Sequence, residues 1–150
     1  MPAFFYNIGD LADSASARKH KELRMEEFND ILEEMDFDFF STGEHGMSVE
    51  AMRHAIGNDH FFFLDVRTNE EVAHVSFPFA THIPLEELPE RLNEVPRDKF
   101  VVTFCAAIFR GAIAYAYLRA NGYDEVKGLT APLEGMVMPF KPGPLGQLKK

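Results

Sequence analysis

A chain of 150 residues, 46% apolar and 26% charged, carries enough hydrophobic material for one domain with a real core and is too short for two comfortable ones. Its 15 Lys and Arg against 24 Asp and Glu give a formal net charge of -9, which argues against nucleic acid or an anionic membrane as the main partner. No apolar stretch approaches the roughly 20 residues that span a bilayer. The opening MPAFFYNIGDLADS lacks the basic flank and continuous apolar run of a secretory signal, so a soluble, cytoplasmic protein is the expectation. A single cysteine excludes an internal disulfide and a thiolate-rich metal site, leaving either a buried inert thiol or a reactive one.

In chain order, KELRMEEFNDILEEM (21–35) places Leu23, Phe28, Ile31, Leu32 and Met35 at helical spacing and predicts an amphipathic helix. FSTGEHGM reads as a joint, dividing the chain into an extension over 1–46 and a main body over 47–150. Ser48 to Gly57 predicts a short helix with serine at its start and glycine at its end, and FFFLDV a strand covered on both faces. Thr68 with Glu71 forms a capping-box pattern, so a short helix is expected over Glu70 to His74. HIPLEELPERL turns at Pro84 and predicts another short helix, and KFVVTFC a second buried strand ending at Cys105. Gly111 to Asn121 predicts the longest helix of the body, stopped by Asn121-Gly122. EVKGL gives a last strand before a tail containing Pro and Gly. Strands alternating with helices imply an α/β fold, a mostly parallel sheet with helices on both faces. In such sheets ligands bind outside the carboxyl ends of the strands, where both LDVR and FCAAIFR fall.

Cys105 stands where a strand stops, five residues before Arg110 at the threshold of a helix. Backbone N–H groups of a short loop curling into a helix N-terminus make an anion cradle, helped by the helix dipole. A free thiol has a pKa of about 8.5 and is only a few per cent ionised at neutral pH, so a cradle that favours the anion multiplies the reactive form. From composition alone a lone cysteine reads more readily as a small core hydrophobe; its place at a strand-to-helix loop reverses that.

LDVR, a helix carrying EE, FPFATHIPL and a strand ending in CxxxxR, in that order and spacing, resemble the rhodanese-like domain family. The resemblance runs from Ser48 to about Pro144 and includes EVKGLTAPLEGM, which is similar to the family's closing strand and following helix. It implies a rhodanese-like fold and a sulfurtransferase whose loop cysteine attacks a sulfur donor, becomes a persulfide held by loop amides, and passes the outer sulfur to cyanide or a thiol. Carried onto this chain, Cys105 is the nucleophile, and Ala106, Ala107, Ile108, Phe109 and Arg110 form the cradle, with Asp65 and Arg67 beside it. A phosphatase relative of the fold has a loop one residue longer; here four residues separate Cys105 from Arg110, and Gly111 stands where that arginine would be.

Two departures stand out. Many family members have a basic residue directly after the cysteine and a glycine at the loop's fourth position; this chain has Ala106 and Ile108. Without a cation next to the thiol, thiosulfate, a dianion, is expected to be a poor donor. A β-branched residue at positive φ is an outlier, so the loop either avoids that angle or bears strain. Ile108 and Phe109 give the loop an apolar rim that suits a protein partner or a hydrophobic thiol. Ala131 and Pro132, in place of paired glycines, and Met136, in place of an aromatic, are expected to affect packing only.

Plainer roles stand beside these. Arg110 alone would be a surface residue at a helix start; next to Cys105 it is expected to hold loop carbonyls or a neighbouring carboxylate. Asp65 and Arg67 are most simply an ion pair, and Glu70 and Glu71 a dipole-favoured helix start with a carboxylate in range of Arg67 or Arg110. The six histidines show no metal-binding spacing, and His74 and His82 are expected to be ordinary surface or hydrogen-bonded side chains. The phenylalanines of FDFF and FFFLDV are expected in the core. The stripe of the N-terminal helix needs cover from the domain or from a second copy, which makes homodimerisation through it an expectation. The function expected is transfer of sulfane sulfur from a small donor to a thiol or cyanide through a Cys105 persulfide, without metal or organic cofactor. The alternatives are a catalytically weak sulfur carrier or interaction module and, against the loop length, a phosphatase or oxyanion reductase.

Overall fold

The computed structural model describes residues 8–148, with side chains from Ser14 to Gln147; MPAFFYN, read above for a secretory signal, lies outside the described residues. Five strands, β1 (Gly46–Met47), β2 (Phe61–Asp65), β3 (Ala80–His82), β4 (Phe100–Phe104) and β5 (Val126–Leu129), form one sheet in the order β1-β5-β4-β2-β3, every pair parallel. Successive side chains of a strand point to opposite faces, and here both faces are covered. Leu64 and Val101 enter a core with Ala114 and Leu118 of α5 (Phe109–Ala120). Phe63 and Val102 enter a second core with Met52 of α3 (Val49–Ala55) and Met136 of α6 (Leu133–Val137). Double coverage is why the strands read as unbroken apolar runs. The fold is α/β with helices on both faces, as expected.

Local signals act as anticipated where a side chain closes an element. Ser48 caps α3, and Gly57 after it takes a positive φ of 84°. Thr68 and Glu71 form the full capping box of α4 (Asn69–His74). Asn121 ends α5 and Gly122 follows at φ 79°. α5 itself begins two residues before Gly111, so Phe109 and Arg110 belong to its first turn.

Other expectations need correction. HIPLEELPERL forms turns in which Glu87 and Leu88 N–H donate to Pro84 O, followed by a 3-10 turn over Leu92–Glu94, and no α-helix; Pro89 has no N–H to continue one. The N-terminal helix α1 runs over Ile8–Glu34. Of its predicted stripe, Ile31 is buried and Phe28 and Met35 half-buried, whereas Leu23 and Leu32 are exposed. At roughly 100° per residue, Leu32 lies about 100° and Leu23 about 80° round the helix from Ile31, outside the narrow line along which α1 crosses α5. An ion pair from Glu34 to Arg119 of α5 at 2.9 Å marks that crossing. FDFF forms α2 (Phe37–Thr42), capped by Asp36. Only Phe39 packs on the core; Phe37 is 84% exposed and Phe40 is also exposed, because one short helix cannot turn all three rings the same way. The tail winds into α7 (Pro142–Leu148). Among the described residues, no helix is long and apolar enough to cross a membrane.

The contrast between the two helices is measurable in urea. Leu118→Ala, at a fully buried position of α5, should cost about 2–5 kcal/mol, while Leu32→Ala on α1 should stay within about 0.5 kcal/mol of wild type.

Candidate active site

β4 is the central strand, and Cys105 follows its last residue with 1% of its surface exposed. The chain then crosses three residues and enters α5, whose first turn lies directly on the strand it has just left. An ideal Cβ on Gly111 would stand 3.2 Å from Phe104 Cα, closer than side chains ordinarily approach backbone. The absence of a side chain lets Gly111 N–H donate to Cys105 Sγ at 3.4 Å, while the buried Thr103 hydroxyl donates to Gly111 O at 2.8 Å. On the other side, Leu133 N–H of α6 donates to Ala106 O at 2.9 Å. The sulfur thus sits at the N-terminal end of a 12-residue helix, where backbone donors and the dipole favour an anion. Ile108 adopts φ -130°, so the loop avoids the left-handed angle that would have strained a β-branched residue; positive φ among the described residues is confined to glycines.

Arg110 points across to α4. Its Nη1 donates to Glu71 Oε2 at 2.6 Å and its Nη2 to Oε1 at 2.8 Å. Glu71 also accepts from Thr68 N–H at 2.8 Å, closing the capping box. The Arg110 hydrogen bond, aided by the Thr68 amide and opposed by desolvation, lowers the Glu71 pKa to about 2. The Arg110 pKa is raised, chiefly by Glu71, with a smaller contribution from Cys105.

Asp65 and Arg67 lie at the end of β2, both buried. Arg67 Nε donates to both Asp65 oxygens at 3.0 and 3.1 Å, and its Nη2 donates to Asp65 Oδ2 at 2.7 Å and to Val75 O at 2.8 Å. The guanidinium also lies 5.2 Å from the centre of the Phe77 ring. His82 Nε2 donates to Arg67 O at 2.6 Å, a hydrogen-bonded histidine as expected. These groups engage one another and brace the β2–β3 connection.

A family model for the rhodanese-like domain matches residues 48–134. The chain belongs to the rhodanese-like domain family. A sulfurtransferase of Allochromatium vinosum is 38% identical over 66 residues, covering 44% of this chain and 62% of that protein. The putative sulfurtransferase YtwF of Bacillus subtilis is 31% identical over 81 residues, covering 53% of this chain and 79% of the relative. Among solved structures, a rhodanese-like domain protein from Staphylococcus aureus superposes with a TM-score of 0.56 at 26% identity, covering 61% of this chain and 89% of that one.

Within this rhodanese-like domain the rim of the loop is apolar, with Ile108 50% and Phe109 76% exposed. Ile108 borders a groove of about 300 Å³ shared with Phe39, Phe40 and His45, which brings the N-terminal extension to the edge of the site. Ala131 and Met136 are buried in the core beneath α6. Among the described residues, no group of three or more His, Cys, Asp or Glu side chains is placed to hold a metal ion. Sequence reasoning did not anticipate the Gly111 amide at the sulfur or the Leu133 contact to the loop. A glycine directly after CxxxxR was the available signal for the first; the second joins segments far apart in sequence and left none.

Breaking the buried pair with Arg67→Ala leaves Asp65 uncompensated and should cost about 3–5 kcal/mol in urea unfolding. Glu71 gives a pH signature. Its folded pKa of about 2 lies below the ordinary glutamate value of 4.5, so its contribution is complete above pH 4.5 and lost as pH falls toward 2. Thermal melts across that window should show wild type losing more stability than Glu71→Gln.

Proposed function

We propose that this chain is a sulfurtransferase that carries sulfane sulfur on Cys105. The observation that supports this most is the placing of the chain's one cysteine at the end of the central strand, under the first turn of α5, with the Gly111 amide on its sulfur. In the forward half-reaction the Cys105 thiolate attacks the outer sulfur of a donor. An S–S bond forms, the donor's bond to that sulfur breaks, and the donor residue leaves with the electron pair. In the second half-reaction a thiolate or cyanide attacks the outer sulfur of the persulfide and Cys105 departs as thiolate. The two steps leave the protein unchanged in oxidation state, and backbone N–H groups of 106–111 lower the cost of the anion in each. Ala106 supplies no cation for a dianionic donor, which favours organic donors over thiosulfate.

A second reading keeps the persulfide and assigns the chain to carriage, with delivery to a partner protein. The exposure of Ile108 and Phe109 favours it, since an apolar rim around a buried sulfur suits a docked surface better than a small ion.

Wild type and Cys105→Ala are incubated with thiosulfate, mercaptopyruvate and glutathione persulfide, and intact mass and thiocyanate formation are recorded. A mass gain of one sulfur in wild type, absent from the variant, is expected, with thiosulfate the weakest donor. Multiple turnover marks the enzyme and a single stoichiometric load the carrier. No gain from any donor would sink both readings.

A further inference from the structure

The guanidinium of the cysteine loop is already engaged. Arg110 closes the segment 105–110 that Cys105 opens, where an arginine free to meet an incoming anion would make the site cationic. Both of its terminal nitrogens instead bind the two oxygens of one carboxylate, at 2.6 and 2.8 Å. Such a two-point pair fixes the guanidinium in plane and direction. Glu71 cannot easily turn away, because the same carboxylate closes the capping box through Thr68 N–H at 2.8 Å. Ala106, Ala107, Ile108 and Phe109 add no charge. Arg67, the arginine that follows β2, is buried and matched to Asp65. Each of these two cations is therefore cancelled by a carboxylate, Arg110 by Glu71 of α4 and Arg67 by Asp65 of β2.

We infer that Glu71 is a positioning residue that sets the class of donor: it holds Arg110 beside Cys105 and cancels its charge, so that the site disfavours inorganic dianions and accepts organic sulfane donors. The sulfur-transfer half of this inference rests on the persulfide reading above; the electrostatic half does not. Glu71 and Arg110 side chains are 32% and 29% exposed, so the pair is reachable by solvent and its cancellation is felt at the mouth of the site. Removing the carboxylate charge while keeping the arginine adds one net positive charge next to the loop.

Cys105 is the chain's only cysteine, so alkylation reports on it alone. Iodoacetate and iodoacetamide share a leaving group and nearly a size but differ by one negative charge, and the ratio of their rates reads the local potential. In Glu71→Gln that ratio should rise about tenfold, and kcat/KM for thiosulfate relative to an organic trisulfide should rise in step, mainly through KM. Thr68→Ala removes the hydroxyl that accepts from Glu71 N–H, keeps the backbone N–H that holds the carboxylate, and should move neither ratio, whatever it costs in stability. Arg110→Gln leaves Glu71 unpaired and should lower the alkylation ratio, which decides the matter if Glu71→Gln fails to fold. The double variant, uncharged at both positions, should return close to wild type. An unchanged ratio in Glu71→Gln, or an equal shift in Thr68→Ala, overturns the inference. Should wild type take sulfur from no donor, the persulfide reading fails and the alkylation ratios still decide the role of Glu71.

Discussion

The site depends on one close approach, that of Gly111 to the backbone of Phe104. A helix that follows a strand normally needs room for its first side chains. Here α5 starts with its third residue pressed against the strand it has just left, at a distance no Cβ would tolerate without a shift. That contact pulls residues 105–110 into a tight arc and turns the Gly111 amide onto the Cys105 sulfur. The bond from the buried Thr103 hydroxyl to Gly111 O fastens the same turn from the strand side, and an unmet hydroxyl there would carry a desolvation cost. The Leu133 amide on Ala106 O holds the other end of the arc from α6. The loop is thus fixed by backbone groups, which is why Ala, Ile and Phe can occupy its interior without dissolving it.

Two guanidinium–carboxylate pairs, one at the end of β2 and one joining α4 to α5, differ in physical role. Asp65 and Arg67 are removed from water, and their charges are tolerable only because the carboxylate, the Val75 carbonyl and the Phe77 ring share the guanidinium. That pair fixes a connection at the end of β2. Glu71 and Arg110 keep about a third of their side-chain surface, where screening reduces the worth of a pair to stability. Its consequence is local: it orients a cation beside the thiol and removes its net charge. One motif thus serves structure when buried and electrostatic tuning when half-exposed.

The sequence made the central part of this architecture legible because local and long-range requirements agree there. FFFLD and FVVTF are apolar but for Asp65 and Thr103 since both faces of β2 and β4 are covered, and Thr68 with Glu71 marks a helix start by its own side-chain chemistry. Cys105 and Arg110 could be placed at a strand-to-helix loop for the same reason. What could not be read depends on partners distant in sequence. The exposure of Leu23 and Leu32 follows from the line along which α1 meets α5, and the outward rings of Phe37 and Phe40 from the shortness of α2. Glu71 was visible as a cap with a carboxylate in range of Arg67 or Arg110, but the choice of Arg110, 39 residues on, is a property of how α4 and α5 begin near one another.

The N-terminal extension acquires a meaning from where it lies. α1 and α2 pack on the α5 side of the sheet, through Met35 and Phe39, and meet the loop rim at Ile108 and Phe109. A rhodanese-like domain without these helices would present α5 to water along Ala116 and Tyr117, which lie half-buried here. With them, the walls beside the loop are apolar side chains from two parts of the chain, while the charge beside the sulfur is cancelled by Glu71. Apolar walls and a neutral mouth act in the same direction, since both raise the cost of bringing a hydrated dianion to Cys105 and lower that of an organic group.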